Sequence, residues 1–205
     1  MNSNVSFKSR INILRSANYY ALHKGDYVDF LLEKTPNIVK SKDLYTNDIR
    51  TCTAGVFVTE ESAVGFHFWD TKLFDKRLLS YIEKLNKTLS QAKNGIIIGA
   101  KNLDDAPHSI KNFNIIKKET KYLTPNISIF KGIKKEYGEV SFNYTKENDT
   151  LNMLIKSYSP NGYTSVVTNI KKLLQFFSTI KIAPTDTLFI DGIEITEKDA
   201  PKIFK

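Results

Sequence analysis

From Thr53 to Trp69 the chain reads as two apolar runs, TAGVFV and AVGFHFW, joined by an acidic turn at Glu60-Glu61-Ser62. The first run is β-branched and small, which suits a buried strand, and the second is a strand candidate with aromatics added. Together they predict a hairpin-like arrangement. Cys52 opens its first strand, and His67 lies in the second, fifteen residues later. Cys52 is also the sole cysteine among 205 residues, so no intramolecular disulfide framework and no zinc site with several thiolates can form.

Downstream, Leu73–Ala92 carries Leu78, Leu79, Ile82, Leu85 and Leu89 with charged residues between them, the spacing of an amphipathic helix. Asn94-Gly95 reads as its end. Ile96–Ala100 follows as a short buried strand, Asp104–His108 as a loop, and Phe113–Lys118 and Ile127–Phe130 as further strands. Val140–Tyr144 and Leu151–Ile155 flank the polar run Thr145–Thr150, the pattern of a hairpin with a longer turn. Near the start, Lys24-Gly25-Asp26 reads as a turn between two apolar-rich runs. Strands, a helix, then more strands predict an α+β fold with mixed or antiparallel sheets packed against helices.

Ser157–Gly162 has the composition of a linker, and Thr164–Ile180 shows helical spacing. Leu188–Ile190, Asp191-Gly192 and Ile193–Ile195 give a second hairpin signal. The expected organisation is a domain over residues 1–157. A helix-plus-hairpin extension over 158–205, too short for a convincing domain of its own, packs on it.

The net charge of +8 comes mostly from lysines scattered through the chain. A nucleic-acid binder concentrates Lys and Arg on one face and interleaves aromatics. Only Lys131–Tyr137 hints at that pattern, so the reading favours a solvated surface, with steering toward an acidic partner surface as the second reading. No stretch approaches the ~18 consecutive apolar residues of a membrane span. The opening MNSNVSFKSRINILRS lacks an uninterrupted apolar segment of the signal-peptide kind. The expectation is therefore a cytoplasmic protein, or one exported to a host cell without such a signal.

A buried cysteine usually acts as a small apolar residue, and a histidine between Phe66 and Phe68 is usually a satisfied, half-buried one. The local context adds to this. Cys52 follows Arg50-Thr51 at a loop-to-strand junction, where backbone N–H groups can point at a substrate. Arg50 could favour the thiolate as a nearby cation. The Glu60 turn could bring His67 back beside Cys52, the geometry that thiol catalysis needs.

The stretch YALHKGDYV, followed after an interval by TNDIRTCTAGVFVTEESAVGFHFWD, resembles the CheD family of chemoreceptor glutamine deamidases. Gly25-Asp26 stands where that family has Gly-Glu, and Gly65-Phe66-His67 resembles the run that ends in its histidine. Ile97-Ile98-Gly99-Ala100 is similar to its Phe-Gly-Gly-Ala strand end. Lys131-Gly132 to Tyr137-Gly138, followed by Val140-Ser141-Phe142, is similar to its Gly-rich turn and strand. The likeness covers roughly Asn18–Ile155. Arg50-Thr51 replaces Gly-Ser before the cysteine, and Lys24 replaces a proline. The same Cys-to-His architecture occurs in cytotoxic necrotising factors and in a bacterial lethal factor, toxins that deamidate host glutamines.

The resemblance implies a cysteine-dependent protein-glutamine deamidase, a chemotaxis-type relative or a host-directed effector. Cys52 would be its nucleophile and His67 its general base and acid. Thr46, six residues before Cys52, matches the family's catalytic threonine and would orient His67. Arg50, Thr51, Thr53 and Phe68 would line the substrate and oxyanion pocket. The partner is a protein bearing an exposed glutamine, and neither a metal nor an organic cofactor is required. Two other readings stand beside it: a non-catalytic binding module of the same fold, and a basic nucleic-acid-binding protein.

Overall fold

The computed structural model describes residues 10–14, 22–29, 38–50, 52–68, 78–88, 94–101, 114, 115, 118, 126–131, 137–158, 161, 164–166, 177–180 and 187–201. The described chain is mostly β-sheet, in two sheets. One has eight strands: β1 (Arg10–Ile13), β2 (Asp26–Tyr27), β4 (Asp43–Ile49), β9 (Tyr137–Thr145), β10 (Thr150–Tyr158), β11 (Thr164–Val166), β13 (Thr187–Ile190) and β14 (Ile193–Ile195). Its order is β14-β13-β1-β10-β9-β4-β2, with β11 also paired to β10. The other has six: β3 (Ile38–Ser41), β5 (Thr53–Val58), β6 (Ala63–Phe68), β7 (Asn94–Lys101), β8 (Asn126–Lys131) and β12 (Phe177–Ile180), in the order β12-β8-β7-β5-β6-β3.

Both sheets are mixed. β1 runs parallel to β10 and to β13, β2 parallel to β4, and β7 parallel to β8, while the other pairings are antiparallel. The acidic turn closes β5 onto β6 as an antiparallel pair, with Thr53 opposite Phe68 and Val58 opposite Ala63. At the turn Thr59 Oγ1 donates to the Ser62 carbonyl at 2.8 Å, which satisfies two polar groups in a buried corner.

Side-chain alternation along β5 and β6 separates two cores. Ala54, Val56, Val58 and Ala63 face the larger sheet and pack with Leu44, Ile49, Val140, Phe142, Leu151 and Met153 of its inner side. Phe57, Val64, Phe66 and Phe68 face the other way and pack with Ile97 and with Ile82 and Leu85 of helix α1 (Leu78–Thr88). The result is three layers: large sheet, small sheet, helix. Leu79 is 66% exposed, so the apolar stripe of α1 is narrower than its leucine content suggested.

Two glycines permit close approach. A Cβ on Gly65 would lie 2.8 Å from Val28 Cγ2 and 3.0 Å from Leu44 Cδ2, so the sheets meet closely there because position 65 has no side chain. A Cβ on Gly95 would run into the Phe57 ring, which faces it across β5 and β7.

Four local expectations are corrected. Asn94-Gly95 does not end the helix but opens β7, and the described helix stops at Thr88. Asn114, Ile115 and Lys118 are helical where a strand was expected. A short apolar run cannot by itself separate the two states, and Ile115 packs against the same cluster as α1. Thr164–Val166 and Phe177–Ile180 are strands where helical spacing was expected, because β10 and β8 recruit them into the sheets. Residues 167–176 lie outside the described residues, as do residues 73–77 and 89–92 of the expected helix and the loop 104–108. Ser157 and Tyr158, expected as linker, belong to β10. No helix among the described residues is long and apolar enough to cross a membrane.

Candidate active site

The chain crosses from the large sheet to the small one between β4 and β5, and Cys52 sits at the end of that crossing. β4 prepares the passage. Its pairing with β9 shifts register between Thr46 and Ile49, and Asp48 inside that bulge adopts φ 56°. Such a bulge bends its strand and re-aims neighbouring side chains.

Cys52 is 5% exposed and belongs to the core between the sheets, with Ala54, two residues on. His67 stands directly opposite Ala54 across β5 and β6. On the His67 strand, Ala63 and Gly65 share its face by alternation, and both lie against the large sheet. Cys52, the residue before β5, shares the core between the sheets with Ala54 and so lies on the side of the small sheet that His67 faces.

The other sheet supplies the next contact. Thr46 Oγ1, on β4, lies 2.6 Å from His67 Nδ1 and 2.7 Å from the Val28 carbonyl oxygen. Thr46 is 1% and His67 0% exposed. A carbonyl oxygen only accepts, so the single hydroxyl proton of Thr46 goes to Val28. The same oxygen then accepts from His67, which assigns the proton to Nδ1 and the lone pair of the neutral ring to Nε2. Burial pushes the imidazole down to about 3 from its usual 6.5, while the charge of Asp29 pulls in the opposite direction. At neutral pH the ring is thus an uncharged base with its tautomer set from behind. The Val28 segment is itself held in place, with its N–H donating to the Tyr45 carbonyl at 2.9 Å.

The other expected site residues fall in different places. Arg50 lies between the bulge and Cys52, and its Nε donates to Glu139 Oε2 at 2.7 Å. Glu139 is 1% exposed and also receives Lys156 Nζ at 3.4 Å. The Arg50 guanidinium is thus engaged by a carboxylate that it shares with Lys156. Asp48 completes this cluster: partial burial, then the neighbouring Glu139, raises its carboxyl above the usual range. Thr53 is buried on the face opposite Cys52, next to Phe68, and Phe68 packs against Phe66 and Tyr81 beneath the helix. Thr53 and Phe68 side chains are thus separated from Cys52 and His67 by the sheet itself. Thr51 lies outside the described residues.

No family model matches the chain, and no curated protein matches it. Among solved structures it is similar to the C-terminal domain of CNFy from Yersinia pseudotuberculosis, with a TM-score of 0.34 and 13% identity. That likeness covers 63% of this chain and 55% of that one, so the chain spans about half the length of the neighbour.

Two contributors were missed from the sequence. Asp29 is 8% exposed and acts electrostatically on His67, and the Val28 carbonyl anchors the threonine. A backbone carbonyl has no sequence signal. Asp29 had one in principle: an acidic residue inside an apolar run, YVDFLL, is costly to bury unless it has work to do. Among the described residues no group of three or more His, Cys, Asp or Glu is placed to hold a metal.

Proposed function

We propose that the protein is a cysteine-dependent protein-glutamine deamidase with Cys52, His67 and Thr46 as its working residues. The observation that carries this is the buried Val28–Thr46–His67 chain, which presents a neutral imidazole with Nε2 as the base on the face shared with Cys52. In this reading Nε2 takes the Cys52 thiol proton as Sγ attacks the carboxamide carbon of a target glutamine. The C–N bond breaks, the proton passes from His67 to the departing ammonia, and an acyl-thioester remains. Water, deprotonated by His67, then cleaves the C–S bond to release glutamate and return the thiol. Backbone N–H groups at the turn before β5 would stabilise the oxyanion, a contribution of about 3 kcal/mol per donor.

A target glutamine has to reach a thiol only 5% exposed, so the substrate side chain inserts end-on rather than lying across the surface. The same burial favours the second reading, a binding module of this fold in which Cys52 is a core residue. Mass spectrometry of candidate proteomes for the +1 Da change of glutamine to glutamate, with ~1 Da being the O-for-NH difference, separates them when wild type is compared with Cys52→Ser. Deamidation that is equal in the two would sink the enzymatic reading.

A further inference from the structure

The anchor behind His67 is uncharged. Thr46 and the Val28 carbonyl fix the ring and its tautomer, but neither carries a charge to balance an imidazolium forming in a site that is 0% exposed. Any acceptance of the thiol proton by Nε2 creates such a charge, and its desolvation opposes transfer. A thiol base that is well oriented and nothing more would be a poor one here.

Asp29 lies next along the chain from the Val28 carbonyl, so its backbone is bonded directly to the group that anchors Thr46. It is 8% exposed, although its run leaves a surface turn at Gly25 and could have kept a carboxylate in water. The Val28 side chain presses on Gly65, two residues from His67 on the same face, which holds this segment against the histidine strand. We propose that Asp29 is a positioning residue for His67, the buried counter-charge that lets the imidazole accept the Cys52 proton. This rests on the deamidase reading and extends it by a fourth residue.

The electrostatics agree with the geometry: the Asp29 charge raises the basicity of His67 against burial. Other charges on the surrounding elements are placed differently. Among the described residues, Lys40 of β3 is exposed and alternates with Val39, which packs toward the larger core, so it lies on the far face. Asp48 of β4, Arg50 just after it, Glu139 of β9 and Lys156 of β10 form their own cluster. Cys52, before β5, is the titratable group on the thiol side.

Alkylation of Cys52 by iodoacetamide, followed against pH, tests the proposal without any substrate. Wild type, His67→Ala, Asp29→Asn and Asp29→Glu would be compared, with circular dichroism and urea midpoints alongside. The expected result is a rate at pH ~7 that falls about tenfold in His67→Ala and three- to tenfold in Asp29→Asn, whose inflection moves up by about half a unit to one unit. Asp29→Glu, which keeps the charge but displaces it, falls between wild type and Asp29→Asn.

An alkylation profile in Asp29→Asn that matches wild type overturns the role of Asp29 while leaving the Cys52–His67 pair intact. A wild-type profile that is unaltered by His67→Ala overturns the deamidase reading itself, and the inference with it. Lost stability with an unmoved profile marks Asp29 as structural only. If Asp29→Asn does not fold, an Asp29→Glu profile identical to wild type overturns the proposal instead.

Discussion

The hydroxyl of Thr46 and the Nδ1 of His67 meet 2.6 Å apart although they belong to different sheets. The contact passes on to the Val28 carbonyl, so Thr46 serves as donor and acceptor at once. Thr46→Val keeps the shape and removes both roles. It leaves a buried Nδ1–H and a buried carbonyl without their hydroxyl, at a cost of about 1–3 kcal/mol. On the proposed reading, ammonia release from a glutamine substrate should fall about 10- to 100-fold, because the ring then samples the wrong tautomer. Thr46→Ser should recover most of both losses, and if it does not, the hydroxyl is not the working group.

Stability should depend on pH through His67 in a defined direction. Its folded value is about 3 against 6.5 in the unfolded chain, so the unfolded state binds the extra proton between them. The contribution is fully present above pH ~6.5 and is lost as pH falls, by about 1.4 kcal/mol per unit and roughly 3 kcal/mol by pH ~4.5. Urea midpoints of wild type and His67→Gln, collected from pH ~7 down to ~4.5, should show one proton less of slope in the variant. Equal slopes would mean that the imidazole titrates in the folded protein.

Asp48 works in the opposite sense. Its folded carboxyl is raised, by burial first and by Glu139 next, so its charged form is disfavoured at neutral pH. It also holds φ 56°, a conformation that asparagine tolerates. Asp48→Asn should therefore stabilise the protein at pH ~7, by about 0.5 kcal/mol once solvent screening is allowed for, with the gain vanishing in acid. A thermal melt at pH ~7 and pH ~4 reads both halves of that statement.

Gly65→Ala places a methyl group against Val28 and Leu44, the two residues flanking the Thr46 anchor in space. Overpacking of this kind costs about 1–3 kcal/mol. The sheets should separate by a few tenths of an ångström at the point where His67 reaches Thr46, and the proposed deamidation should fall beyond what the unfolded fraction accounts for. Gly95→Ala, which strikes the Phe57 ring on the helix side, should lower stability while sparing the turnover of the folded fraction.

The hairpin that carries Cys52 and His67 was legible because it is local: its turn, its β-branched arm and its aromatic arm lie within a seventeen-residue window. The strands Ile127–Phe130, Val140–Tyr144, Leu151–Ile155 and Leu188–Ile190 were legible for the same reason, each found with its ends slightly extended. What was missed depends on partners far along the chain. Arg10–Ile13 became a central strand only because Thr150–Met153 and Thr187–Ile190 flank it in parallel. Thr164–Val166 follows Tyr158 closely enough to fold back on β10, and that pairing overrode a helical spacing. The face assigned to each side chain was the subtlest loss. Thr53 and Phe68 were expected to line the pocket, and a period of two sends their side chains to the side opposite His67.

Because the thiol precedes one interior strand of the small sheet, the imidazole sits on the next strand and the threonine on the facing sheet, neither sheet alone brings the three together. On the proposed deamidase reading, activation of Cys52 would then report tertiary docking. A chain whose strands have formed but whose sheets have not closed would display full β-structure and an inert cysteine. During refolding, thiol activation should lag the circular dichroism signal, so the molecule stays chemically silent until its last large surface is buried.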